Sequence, residues 1–247
     1  MAKHIAMAGK GGTGKTTIAA FLIKYIIDRK KGATLAVDAD SNANLNEALG
    51  YDVPNTISSI LVDIKKGNVP AGMPKETYLQ LELHRALIET DYVDLLVMGG
   101  PQGPGCYCFP NDILKRHLAT LDKSYDYLVV DNEAGLEHIS RRTIEDVDIM
   151  LVVSDATAKG VRTAGRIYSL AKSLNIRISD AYLIITKTSD VAPLHKEIEA
   201  SGLKLLGVMP NDPMILDFDL KGKPMLDLPA ESPAVQATRE MFAKLPL

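Results

Sequence analysis

The run from Ile5 to Thr17, IAMAGKGGTGKTT, constrains this chain more than any other stretch. Four apolar-type residues, Ile5 to Ala8, open into a glycine-rich loop, and the loop opens into a helical pattern. Gly9, Gly14, Lys15 and Thr16 fit G-x-x-x-x-G-K-[ST], the spacing of a phosphate-binding loop. Glycines let successive backbone N–H groups curl around a phosphate where a Cβ would intrude. The following helix turns the positive end of its dipole on the same point. Lys15 supplies a point charge for the outer phosphates, and Thr16 can place its hydroxyl on Mg²⁺. Gly9 through Thr17, with Lys10, Gly11, Gly12 and Thr13 between the motif positions, are the expected nucleotide contacts.

The rest of the chain fits a fold that carries such a loop. Short apolar runs at Thr34–Val37, Val93–Met98, Tyr127–Val130, Ile149–Val153, Tyr182–Ile185 and Leu205–Met209 read as buried strands. Helical patterns alternate with them. One begins at Thr16 (Ile18, Phe21, Leu22, Tyr25, Ile26), with Gly32 expected as its stop. Another is expected to start at Pro110–Asp112, a third runs through Val161 to Leu174, and a closing one through Val235 to Leu245. This alternation predicts one α/β domain over residues 1–247, a mainly parallel sheet with helices on both faces. Residues 55–90 read as an excursion of broken helical fragments, and Pro210–Pro213 as a loop. The active edge of such a sheet lies at the carboxyl ends of its strands.

Acidic residues fall at that edge. Thr34–Val37 leads into Asp38-Ala39-Asp40, placed to handle Mg²⁺ and water, or else two solvated loop aspartates. The run LVVDNEAG delivers Asp131 after four apolar-type residues, the Walker B form in which a carboxylate holds Mg²⁺ through water. The net charge of −3 announces no basic surface for nucleic acid. No apolar run approaches the ~18 residues of a membrane span. No nucleic-acid binding, no stable membrane association and a cytoplasmic location are therefore expected.

The two cysteines, Cys106 and Cys108, stand in a Gly/Pro-rich segment. In an extended segment residues i and i+2 face one side, so both sulfurs could hold one ion. Soft thiolates suit Zn²⁺, and square-planar S₄ coordination suits Ni²⁺. Two buried small residues or a redox pair are the other readings. The histidines His4, His84, His117, His138 and His195 are scattered and read as surface or packing residues, and the methionines as core filling.

The second lysine, Lys10 in GKGGTGKT, resembles the deviant Walker A loop of the MinD/ParA/nitrogenase-iron-protein class of ATPases. That resemblance implies an ATP-dependent homodimer in which Lys10 reaches the partner's nucleotide, making Lys10, Lys15 and Asp40 the catalytic set. DADSNANL is similar to the class's switch I, with Asp40 positioning water and Asp38 in the Mg²⁺ shell beside Thr16 and Asp131. Gly135 matches its switch II glycine. Pro210 and Asn211 would neighbour adenine, although Thr186-Lys187 replaces the usual Asn-Lys pair. GPGCYCFPN and DNEAGLEHISRRT resemble the nickel-insertion ATPases that mature carbon monoxide dehydrogenase, or their relatives serving acetyl-CoA synthase. The family resemblance implies nickel, with Zn²⁺ as competitor, held by Cys106 and Cys108 of two subunits for a nickel-enzyme client. A MinD/ParA-like positioning ATPase and a nitrogenase-reductase-like electron carrier are the rival readings.

Overall fold

The protein is described by a computed structural model over residues 1–100, 108–132 and 146–247, with the side chains of residues 108–111 outside that description. In chain order the elements are β1 (Lys3–Gly9), α1 (Lys15–Asp28), β2 (Thr34–Ala39), α2 (Leu45–Leu49), α3 (Ile57–Lys66), α4 (Lys75–Arg85), β3 (Asp94–Val97) and α5 (Cys108–Leu121). They continue with β4 (Tyr127–Asn132), β5 (Asp146–Asp155), α6 (Ala158–Ser173), β6 (Arg177–Thr186), α7 (His195–Ser201), β7 (Lys204–Met209), α8 (Pro213–Leu220) and α9 (Pro233–Phe242). The seven strands form one parallel sheet in the order β3-β2-β4-β1-β5-β6-β7.

Successive residues of each strand face opposite sides, and both sides are buried. From β1, Ile5 and Met7 join α1, α2 and α9 in one core, while Ala6 and Ala8 join α6 and α7 in a second. Leu35, Val37, Leu128 and Val130 pack under α3, α4 and α5 in a third. Burial on both faces explains why the strands read as unbroken apolar runs. The expected mainly parallel sheet with helices on both faces is thus present, with seven strands, all parallel.

Helix α1 is held by packing. Ile18, Ala19, Ala20, Phe21, Leu22, Ile23 and Ile26 are all buried, and large apolar side chains contribute about 1.5–3 kcal/mol each on full burial. It ends earlier than its sequence suggests. Asp28 is the last helical residue, and Lys30 takes the left-handed position (φ 49°) that the sequence assigns to Gly32. The Lys30 amide donates to the Ile27 carbonyl and the Lys31 amide to the Ile26 carbonyl, a Schellman closure. Gly32 serves another end: a Cβ there would lie 2.3 Å from the Asp126 carboxylate.

Other differences have similarly local causes. Helix α5 begins at Cys108, two residues before the expected start at Pro110. Pro213 opens α8 rather than closing a loop, because Asp212 caps it, accepting the Met214 amide at 2.9 Å. The excursion at 55–90 holds two ordered helices. Thr56 and Ser59 form a reciprocal capping box at the start of α3, and the Ser58 hydroxyl donates to the Gly99 carbonyl at 2.9 Å. Among the described residues, no helix is long and apolar enough to cross a membrane.

Candidate functional site

β1 delivers the loop at the centre of the sheet, between β4 and β5. Gly9 passes so close to β5 that a Cβ would stand 2.3 Å from the Val153 carbonyl oxygen, and its φ of 151° excludes most side chains. The loop then closes on itself, the Thr13 hydroxyl donating to the Lys10 carbonyl at 2.8 Å. Gly14 takes φ 88° and stands as the N-cap of α1 with no side-chain cap. No side chain caps the first turn of α1 where it leaves the loop, and an uncapped helix N-terminus is the arrangement that receives a phosphate. Lys15 is buried, its ammonium 3.5 Å from the Lys10 carbonyl, whereas Lys10 itself is exposed.

Two carboxylates lie beneath the loop. The sheet register pairs Asp38 on β2 with Asp131 on β4, and Asp131 with Met7 on β1. Both side chains share the face occupied by α1. The Thr16 hydroxyl donates to Asp131 Oδ2 at 2.6 Å, and the buried Oδ1 has no partner. Asp38 is fully buried and accepts the amides of Leu45 (2.8 Å) and Asp40 (3.0 Å). Burial lifts the Asp38 pKa to about 7; its two amide hydrogen bonds oppose the rise, and the Asp131 and Asp40 charges add to it. Burial likewise lifts Asp131 to about 6, against the Thr16 hydrogen bond and the Lys15 charge.

Two buried acids with raised pKa values and one orphaned oxygen are a site short of positive charge. Hard oxygen donors of this kind suit Mg²⁺, which is ordinarily held by one or two carboxylates together with substrate phosphates. The residues present fit that ion: Thr16 and Asp131 would hold it. Asp40, half-buried, accepts the Asn42 amide at 2.8 Å, and its charge is felt by both Asp38 and Asp131. Among the described residues, no group of three or more His, Cys, Asp or Glu is gathered into a metal cluster.

Sequence reasoning missed three supports of the loop. Thr186, at the end of β6 and fully buried, donates its hydroxyl to the Thr13 carbonyl at 2.8 Å. Lys187, at φ 61°, donates to the Gly12 carbonyl at 3.2 Å. Asn132 donates to the Met7 carbonyl at 2.8 Å. The departure from Asn-Lys to Thr186-Lys187 thus places both side chains on the phosphate loop itself, a role that only the parallel alignment of β6 with β5 makes visible. The Thr188 amide meets the Met209 carbonyl at 3.3 Å, which sets half-buried Pro210 and exposed Asn211 beside the segment that follows β6. Cys106, Gly135 and His138 lie outside the described residues, as does the Cys108 side chain.

Fold and loop together define a P-loop ATPase of the MinD/ParA class. The chain belongs to the AAA-domain family, whose model matches residues 2–184. It is 41% identical over 250 residues to an uncharacterized ATP-binding protein of Methanocaldococcus jannaschii, covering 98% of this chain and 97% of that one. It is 32% identical over 241 residues to the carbon monoxide dehydrogenase accessory protein CooC of Rhodospirillum rubrum, covering 91% and 89%. Among solved structures it superimposes on the septum site-determining protein MinD of Pyrococcus horikoshii, complexed with Mg-ADP. That match has a TM-score of 0.72 at 25% identity and covers 98% of this chain and 94% of the other.

Proposed function

We propose that residues 1–247 act as one ATP-hydrolysing domain that works as a homodimer and carries nickel to a client enzyme, a carbon monoxide dehydrogenase or an acetyl-CoA synthase. The observation that carries this reading is the Cys106-x-Cys108 pair of the sequence, in a chain 32% identical to a carbon monoxide dehydrogenase accessory protein.

Hydrolysis draws on the residues around the loop. The amides of the first turn of α1 and the Lys15 ammonium stabilise charge on the transferring phosphoryl group. Asp40 orients the attacking water. Bound Mg²⁺, held by Thr16 and Asp131, supplies further positive charge against the phosphate oxygens. Lys10, exposed at the rim, is free to reach a partner's nucleotide, and Gly135 is placed by sequence to meet the terminal phosphate. Pro210 and Asn211 border the adenine.

The cargo ion is held by four thiolates, two from each subunit, on the dimer axis. ATP favours one dimer geometry and thereby alters the sulfur arrangement; by linkage the ion alters ATP affinity by the same factor. Replacing either cysteine with Ser should abolish tight Ni²⁺ and Zn²⁺ binding, and thiolate-to-nickel absorption with it, while leaving nucleotide binding intact. Unchanged tight binding in both variants would overturn the metal-carrier reading.

A second reading, a MinD-like positioning ATPase, is favoured by the similarity to MinD of Pyrococcus horikoshii and by 25% identity over 231 residues to MinD of Bacillus subtilis. ATP-dependent sedimentation with liposomes, undiminished in the cysteine variants, would select it.

A further inference from the structure

His117 is an anomaly in the core beneath α5. It is 3% exposed, and neither ring nitrogen has a hydrogen-bond partner. Buried polar groups are nearly always satisfied, and one that is not calls for a physical reason such as a bound ion or water. Its neighbours Leu114 and Leu118 on α5 and Leu83 on α4 share one apolar cluster.

The side chain that meets it is a second imidazole. His84, exposed on α4, stands with its ring centre 5.5 Å from that of His117, the planes crossing at 75°. His84 Nδ1 lies 2.7 Å from the Gln80 carbonyl, which can accept only from a protonated Nδ1. In the neutral ring that bond leaves the lone pair on Nε2. Histidines that bind metal ordinarily donate their other ring N–H in this way, to a carbonyl or carboxylate. An ion about 2.0–2.1 Å from one nitrogen of each ring, at a tetrahedral angle, would set the ring centres roughly 5 Å apart. The observed spacing of 5.5 Å is close to that value.

We propose that His84 and His117 form a second metal position, between α4 and α5, that takes a divalent ion of imidazole-seeking character such as Ni²⁺ or Zn²⁺, with water completing the coordination. The position rests on no cysteine, and lies on the same helix that Cys108 opens.

The test uses the full chain with Cys106→Ser and Cys108→Ser together, with and without His84→Asn. Equilibrium dialysis against Ni²⁺, and separately Zn²⁺, should find residual binding in the cysteine-free protein. X-ray absorption of the bound ion should give a shell of nitrogen and oxygen without sulfur. His84→Asn, on an exposed position that spares the core, should weaken this binding by at least the ~10–100-fold that losing even an outer-shell partner costs. Added metal should raise the melting temperature of the cysteine-free protein but not of the His84 variant. A cysteine-free protein that binds neither ion overturns the proposal while leaving the cysteine reading standing. Residual binding that survives His84→Asn undiminished overturns it equally, placing the ion elsewhere.

Discussion

Replacing Asp131 with Asn removes a charge that the metal-free protein holds at a cost. Its folded pKa of about 6 stands roughly two units above the unfolded value, and each unit is worth about 1.4 kcal/mol. The sign follows from the direction of the shift. Because the folded value is the higher one, the contribution of Asp131 to stability is full below about pH 4 and is lost as pH rises through about 6. The substituted side chain would keep the bond from Thr16 and set an NH₂ where Oδ1 now lacks a partner. That buried NH₂ carries a penalty of about 1–3 kcal/mol, but one that does not vary with pH. The stability of Asp131→Asn relative to the parent should therefore climb by about 2 kcal/mol between roughly pH 4.5 and 7.5 and then level off. Urea unfolding in EDTA without nucleotide, repeated at half-unit pH steps, reads this difference directly. Saturating Mg²⁺ and ADP should remove most of the parent's slope, since a bound cation favours the charged carboxylate. A difference that stays flat across the range would refute the reasoning, because it would mean that Asp131 is ionised without penalty in the metal-free protein.

Other substitutions probe neighbouring parts of the site. Lys15→Ala should abolish tight ATP binding by calorimetry, whereas Asp40→Ala should keep binding and lose turnover; parental hydrolysis by the latter would remove Asp40 from its role. Lys10→Ala should retain the fold but lose ATP-driven dimerisation in light scattering, and equal association would exclude a cross-subunit contact. Gly9→Ala should destabilise the protein by about 3 kcal/mol or more in urea melts, because its Cβ meets a strand carbonyl at 2.3 Å and its φ is strained.

What the sequence reveals and what it hides have physical causes. The phosphate loop and the acids are readable because they sit at fixed offsets from buried strands, whose apolar runs announce themselves. Strand and helix ends are less so. Lys30 in the left-handed position displaces Gly32 from its expected task, since Schellman hydrogen bonds tolerate a lysine there at modest cost. The helix from Pro213 is hidden because proline marks a helix start as readily as a loop, and only the Asp212 cap decides between them. Thr186 and Lys187 look, in the sequence, like a departure from base recognition. Their contacts with Thr13 and Gly12 span more than 170 residues and depend on the order in which β6 joins the sheet. His84 and His117 look scattered for the same reason: α4 and α5 are brought together by packing, and packing leaves no local pattern.

The register between β2 and β4 carries a further consequence. Asp38 and Asp131 are Cα partners in adjacent parallel strands, so their separation is set by the spacing of a hydrogen-bonded ladder, about 4.8 Å, and not by flexible side chains. A single inserted residue in either strand would turn one acid to the opposite face. It would also drag an apolar neighbour out of its own core. Selection for folding and selection for cation binding thus act on the same alignment, and an error in the second is purged as an error in the first. The loops around the site can differ in length and composition without moving its floor.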